Sequence, residues 1–261
     1  MPIDYDHAAN RHTLDGPRAA LPVLFGEGMP RSLLDVGCGN GTWLKAALEL
    51  GITDVLGIDG VPLCEELLHI PAPLFQQRDL THSWSLGRQF DAALCLEVAE
   101  HLAPEHGRVL IDALTQHAPR IIFSAACPGQ DGQHHVNCQW PTYWQALFNE
   151  RGFRCEDPFR PLLWDDARVE PWYRQNLFLA RKDAASAGTE PRLRAFVHPA
   201  IFASALENLR AASVKTAHEA ALLAVQDGEM SPAWYLSAGF RAARRKLSRR
   251  LGPGLSERSK A

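Results

Sequence analysis

The sequence predicts an α/β fold: a mostly parallel sheet with helices on both faces, extended at its C-terminal end by a helical appendage. From residue 31 to about 182, short β-branched or apolar runs alternate with helical stretches, the order that builds βαβ units. Residues 183–189 are small and polar, as linkers are. Residues 192–251 then carry a helical pattern alone, broken at Asp227-Gly228 and restarted at Pro232, a residue suited to a helix's first turn.

Taken in order, residues 1–30 are expected to form an N-terminal helical segment. Strands are predicted near 32–36, 54–58, 74–77, 90–96, 120–125, 154–159 and 177–181, with helices between them near 42–50, 63–69, 105–116 and 141–151. Arg151-Gly152 closes the last of these helices with a C-cap glycine. The expected divisions are therefore 1–30, an α/β domain over 31–182, a linker over 183–191, the appendage over 192–251 and a tail over 252–261.

A chain of 261 residues has room for one α/β domain and a smaller part. Its 46% hydrophobic and 22% charged residues exclude a disordered or membrane-embedded protein. No apolar run approaches the roughly 18 residues that cross a bilayer. The N-terminus has neither the basic nor the apolar region of a secretory signal, so a cytoplasmic location is expected. Cys38, Cys64, Cys95, Cys127, Cys138 and Cys155 contain no C-x-x-C pair and read as reduced thiols. The net charge of −3 is uneven: residues 231–261 hold eight basic side chains against one acidic, leaving −10 on the first 230. An acidic body argues against nucleic acid as a partner, because such surfaces need a basic footprint.

The most informative stretch runs from Leu33 to Leu44, LLDVGCGNGTWL. Apolar residues lead into Asp35, and Gly37, Gly39 and Gly41 follow at alternate positions before a helical pattern begins. Glycines there permit a tight strand-to-helix turn that a ligand can approach without meeting a Cβ. Asp59 ends the next strand, about 20 residues on, where a carboxylate can accept both hydroxyls of a ribose. The G-x-G-x-G spacing departs from the G-x-G-x-x-G of dinucleotide-binding turns, which disfavours an NAD-dependent oxidoreductase. It resembles motif I of the class I S-adenosylmethionine (SAM) dependent methyltransferases, D-x-G-x-G-x-G. Asp79-Leu80 after the third strand and the stretch from Phe90 to Leu102, FDAALCLEVAEHL, match the same family in the same order. The resemblance covers about residues 31–181 and implies a Rossmann-like, seven-stranded sheet with its last strand antiparallel. It also implies SAM as cofactor. Asp35 would then lie near the methionine amino group, with Gly37 and Gly39 beneath the cofactor and Gly41 completing the turn. Asp59 would hold the ribose, and Asp79 and Leu80 would border the adenine.

Glu97, Glu100 and His101 follow the fourth strand at i, i+3 and i+4, a spacing that lets side chains converge if the turn is helical. Glu97 is counted with the cofactor-binding residues and also with the metal candidates. The segment 124–139 leaves the fifth strand on the same sheet edge, carrying His134, His135 and Asn137, and is unusually rich in glycines and amides for a plain connector. Glu97, Glu100, His101 and His135 make a mixed oxygen and nitrogen set for Mg²⁺, Mn²⁺ or Zn²⁺. This set resembles the metal site of the small-RNA 2′-O-methyltransferases, and the E-x-x-E-H turn is similar to that of the ubiquinone-biosynthesis O-methyltransferases. Without a metal, His135 or His134 would serve as general base, and Glu100 completes the catalytic candidates. Trp140, Tyr143, Trp144, Trp164, Trp172 and Tyr173 are candidates for an acceptor wall.

These residues lead us to expect O-methylation of a hydroxyl on a sugar, a glycan or a related polar small molecule. The competing readings are an RNA 2′-O-methyltransferase, an NAD-dependent oxidoreductase and a non-catalytic SAM-binding protein. At the C-terminal end, Phe240, Ala243, Leu247 and Leu251 share a helical face among basic residues, a pattern for peripheral membrane contact; the alternative is a solvated tail.

Overall fold

Leu33-Leu34 and the run from Ala92 to Leu96 are apolar without alternation, as a strand covered on both faces must be. They form the centre of the sheet. The computed structural model describes residue 5 and residues 13–251. Its strands are β1 (Ser32–Val36), β2 (Asp54–Asp59), β3 (Phe75–Gln77), β4 (Ala92–Leu96), β5 (Arg120–Ser124), β6 (Phe153–Glu156) and β7 (Phe178–Lys182). They form one seven-stranded sheet in the order β3-β2-β1-β4-β5-β7-β6. β7 runs antiparallel to β5 and β6, and the other pairings are parallel.

The period of two along each strand separates two cores. Leu34, Val36, Ala93 and Cys95 face the layer built by α3 (Pro104–His117) and α4 (Pro141–Asn149). Leu33, Ala92, Leu94 and Leu96 face the layer of α1 (Asp15–Phe25), α2 (Thr42–Glu49) and the short α5 (Arg160–Leu163). From β1 the chain builds outward through β2 and β3, then crosses back to place β4 on the other side of β1. Such a reversal opens a crevice at the C-terminal ends of β1 and β4, where ligands of open α/β sheets bind.

The predicted helix at 63–69 is only a 3₁₀ turn, Glu65–Leu67. Pro62 and Pro71 bracket a segment too short to repay helix nucleation, and the His69 amide donates to the Asn40 carbonyl at 2.8 Å, tying the chain to the glycine turn. The strand predicted over 90–96 starts at Ala92, because the Phe90 amide donates to the His117 carbonyl outside the ladder. Two helices were not anticipated: α5, and α6 (Pro171–Asn176). Each is at most six residues long and carries a proline in its first turn, where proline is tolerated although it reads as a breaker.

Residues 183–191, expected to be a linker, are fixed to the domain. Residues 184–189 form turns, and the buried Glu190 carboxylate accepts from the Gln145 side chain (3.0 Å), the Asn149 side chain (2.7 Å) and the amides of Cys155 (3.0 Å) and Gly188 (2.7 Å). Burial alone would push this carboxyl up; the bonds from Asn149, Gln145 and Cys155 outweigh it and hold the group at about 2. The stabilisation is therefore complete above the ordinary value of 4.5 and is lost as pH falls toward 2. Glu190→Ala is expected to cost about 2 kcal/mol, read from urea unfolding at neutral pH, because it strands buried donors.

The chain divides into two units, residues 1–205 and 206–261. α7 (Pro199–Gln226) starts later than the predicted 192, because Leu193 and His198 donate their amides to Gln145 and Gln175 and hold that stretch non-helical. In the second unit the expected break separates α7 from α8 (Pro232–Leu251), and the Tyr235 hydroxyl donates to the Val225 carbonyl at 2.8 Å. The predicted tail 252–261, most of residues 1–12 and the side chains of Leu247 and Leu251 lie outside the described residues. All six cysteines are free thiols.

Candidate functional site

The glycine turn is tied to β2 by the backbone. The Gly37 and Cys38 amides both donate to the Ile58 carbonyl, at 2.7 and 3.1 Å. Gly37 has φ +76°, and a Cβ there would sit 2.3 Å from Val98 Cγ2. Gly41, at φ +83°, opens α2 against Ile70. Asp59 then locks the turn: its Oδ2 accepts from the Gly39 amide at 2.8 Å and its Oδ1 from the Val61 amide at 2.9 Å. Asp59 also lines the cavity at the sheet's C-terminal edge.

Asp35, in β1, is 2% exposed and its Oδ2 has no hydrogen-bond partner. Burial, with a smaller contribution from the Asp59 charge, lifts its carboxyl from 3.8 to about 8. A buried acid of this kind is poised to receive a cation. It borders a cavity of about 940 Å³ at the sheet's C-terminal edge. Every predicted cofactor residue except Gly41 lines that cavity, as do Glu100, His101, His134 and His135. Leu80 contributes an apolar wall from the core. Asp79 is exposed, and its oxygens are taken by Thr81 (amide 2.8 Å, hydroxyl 2.6 Å) and His82 (3.1 Å). The Thr81 bonds draw its carboxyl below the usual range.

At the end of β4, Glu97 and, on the neighbouring loop, His134 take left-handed backbone, φ 54° and 55°, which is uncommon outside glycine and clusters at functional sites. The Glu97 amide donates to the Ser124 carbonyl and hydroxyl, fixing β4 to β5. Its carboxylate accepts from Gln130 Nε2 (2.8 Å) and Asn176 Nδ2 (3.1 and 3.3 Å). Gln175 extends this cradle, donating to Gln130, Asn176 and Cys127. Burial raises the Glu97 carboxyl, and the amide bonds oppose it. None of these three amides was singled out from the sequence. The available signal was the Gln175-Asn176 pair placed directly before the apolar run of β7.

Glu100 is fully buried, and neither carboxylate oxygen makes a hydrogen bond. Burial, and then the neighbouring Glu97 charge, push its pKa well up. Glu100, His101 and His135 present ligand atoms all within 4.8 Å of one another. His101 Nδ1 is buried without a partner, and burial followed by the proximity of His135 lowers its pKa to about 4, so the ring is neutral at neutral pH. His135 Nδ1 lies 3.0 Å from the Gln130 carbonyl. A carbonyl only accepts, so the neutral ring carries its proton on Nδ1 and leaves Nε2 as a lone pair. These unsatisfied oxygens and nitrogens fit a divalent cation. Glu97, counted with this set from its spacing, stands outside it because amides occupy its oxygens. His134 lines the cavity but is also outside the group.

Of the six aromatic candidates for the acceptor wall, Trp172 and Tyr173 line the cavity. Trp144 is 1% exposed and packs on Phe123 and Tyr143 in the core, and Trp164 packs on Phe196 and His198. Trp43, whose indole N–H donates to the Tyr173 hydroxyl at 3.4 Å, is a lining residue the sequence reading passed over.

A family profile described as a methyltransferase domain matches residues 5–150, more than half of the chain and the whole of the glycine turn and β4. The chain belongs to this methyltransferase family. No curated protein matches the methyltransferase. Among solved structures, the methyltransferase domain of bacterial CtHen1-C shares 16% identity at a TM-score of 0.50, covering 66% of this chain and all of that one. The sugar N-methyltransferase KedS8 from Streptoalloteichus sp ATCC 53650 shares 20% identity at 0.49, over 68% and 88% of the two chains. Magnesium protoporphyrin IX methyltransferase from Synechocystis PCC 6803, with bound SAM, shares 20% at 0.45, over 65% and 79%. At 16% identity the likeness to the CtHen1-C domain is one of fold.

Proposed function

We propose that this methyltransferase transfers the methyl group of SAM to a hydroxyl of a sugar, a glycan or a related polar small molecule. The observation that carries the proposal is the convergence of Glu100, His101 and His135 on the same cavity that the glycine turn borders. SAM brings an electrophilic methyl carbon on a sulfonium. Gly37 and Gly39 let it approach the backbone, and the buried Asp35 carboxylate receives its cationic amino end. Asp59, at the end of β2 on the same cavity, would hold the ribose hydroxyls, and Leu80 and Asp79 would border the adenine.

On the acceptor side, His135 Nε2 is the group positioned to take the hydroxyl proton as the carbon–oxygen bond forms, its ring oriented by the Gln130 carbonyl. In the alternative, Glu100, His101 and His135 would together hold Mg²⁺, Mn²⁺ or Zn²⁺, and the His135 Nε2 lone pair would then be a ligand and not the base. A cation there supplies Lewis acidity toward the hydroxyl. The acidic body of the first 230 residues favours an uncharged or weakly charged acceptor over RNA.

Release of S-adenosylhomocysteine across sugars, phenols and RNA, with mass spectrometry of the products, tests this. Methyl ether formation on a polyhydroxylated acceptor supports the reading; exclusive N-methylation, or transfer to RNA alone, overturns it. Exhaustive chelation with EDTA is expected to abolish turnover if the cation is required, and unchanged turnover assigns the proton transfer to His135 alone.

Asp35 gives the donor a pH signature. With its folded pKa near 8, binding a cation must expel a proton below that value, so donor affinity rises by up to tenfold per pH unit from about pH 6 to 8, then levels off. Isothermal titration in buffers of different ionisation enthalpy reads the released proton. Asp35→Asn is expected to remove both the proton release and most of the affinity.

A further inference from the structure

No helix among the described residues is long and apolar enough to cross a membrane. α8 nevertheless has features that nothing in the methyl-transfer site uses. We propose that α8 docks the protein onto an anionic lipid surface, lying in the plane of the headgroups.

The argument begins with the spacing along the helix. At about 100° per residue, Phe240 lies ~40° to one side of Leu236 and Ala243 ~20° to the other, forming one apolar arc. Arg244 and Lys246 fall roughly 80° to either side of Leu236 and flank that arc. Their long stems can lie along acyl chains while their charges reach the phosphates. The structure leaves the arc open: Leu236 is 67% and Phe240 78% exposed. α8 meets α7 through a different side, where Tyr235, ~100° from Leu236, bonds the Val225 carbonyl.

Charge selects the occupant. Residues 231–261 carry eight basic side chains and one acidic, against −10 on the rest of the chain. The same helix of a second copy, laid against this one, would be repelled by its like charge. Nucleic acid would match the charge but has no use for an open Phe240 and Leu236 between the cations. An anionic bilayer satisfies both halves of the pattern, since basic residues near its surface contribute about 1 kcal/mol each and apolar side chains add by burial at the headgroup boundary.

The test is co-sedimentation of the full chain with phosphatidylcholine vesicles, with and without phosphatidylglycerol. Binding is expected on the anionic vesicles only, weakening as salt rises. Phe240→Ser should weaken it about tenfold. Changing Arg244 and Lys246 to glutamine should weaken it about fivefold per residue. Far-UV circular dichroism should be unchanged, because all three side chains are exposed. Failure to bind anionic vesicles overturns the proposal. So does equal retention on RNA that is indifferent to Phe240→Ser, which would mark a polyanion site, or a stable dimer without lipid that Phe240→Ser dissolves. None of these outcomes depends on the identity of the acceptor.

Discussion

His135→Ala is expected to lower kcat by about 100-fold or more while leaving donor affinity nearly unchanged. The magnitude follows from losing a positioned general base. The separation of effects follows from place: His135 belongs to the Glu100–His101 group, and Asp35, Gly37 and Asp59, the residues proposed to bind the donor, come from β1, β2 and the turn between β1 and α2. Steady-state kinetics with a calorimetric donor titration checks this. A fall in kcat matched by an equal loss of donor affinity would place His135 in donor binding instead. Because Glu100 and His101 share the site, Glu100→Ala combined with His135→Ala should cost little more than the worse single variant, as groups acting as one unit do.

Gly37→Ala is expected to abolish measurable donor binding and to destabilise the fold by about 3 kcal/mol. Two costs add. Left-handed backbone in a residue with a Cβ costs of order 1–3 kcal/mol. The new methyl group would also lie 2.3 Å from Val98 Cγ2, a core side chain next to Glu97. Relief of that overlap moves β4's end, and with it the carboxylates of Glu97 and Glu100. Gly51→Ala is the matched control: it too has positive φ, at +90°, but nothing lies within 4 Å of its Cβ. It should show only the backbone cost and bind the donor normally. Chemical denaturation and donor titration of the two variants separate steric from conformational effects.

Much of this architecture is legible in the sequence because apolar strands and a glycine turn obey strong local rules. β1 is predicted with its observed ends, and the break between α7 and α8 is announced by Asp227-Gly228 and Pro232. Local rules fail where long-range contacts decide. Residues 63–69 look helical but are drawn to Asn40. Residues 183–189 look like a linker until Glu190 finds four donors from α4, β6 and its own turn. The site shows the same division. Asp35, Gly37, Gly39 and Asp59 lie close in sequence or at the ends of paired strands, so one short motif brings them to the same cavity. The spacing that groups Glu97 with Glu100 and His101 cannot show that Gln130 and Asn176, 33 and 79 residues away, occupy its carboxylate. Nor does an aromatic's identity reveal whether it faces a cavity, as Trp172 does, or a core, as Trp144 does.

Titration of the purified protein with SAM, S-adenosylhomocysteine and NAD by isothermal calorimetry tests the central claim most directly. Saturable one-to-one binding of SAM and S-adenosylhomocysteine, lost in Gly37→Ala and absent for NAD, is the predicted result. Absence of heat with both adenosyl ligands, or preferential uptake of NAD, would contradict the account.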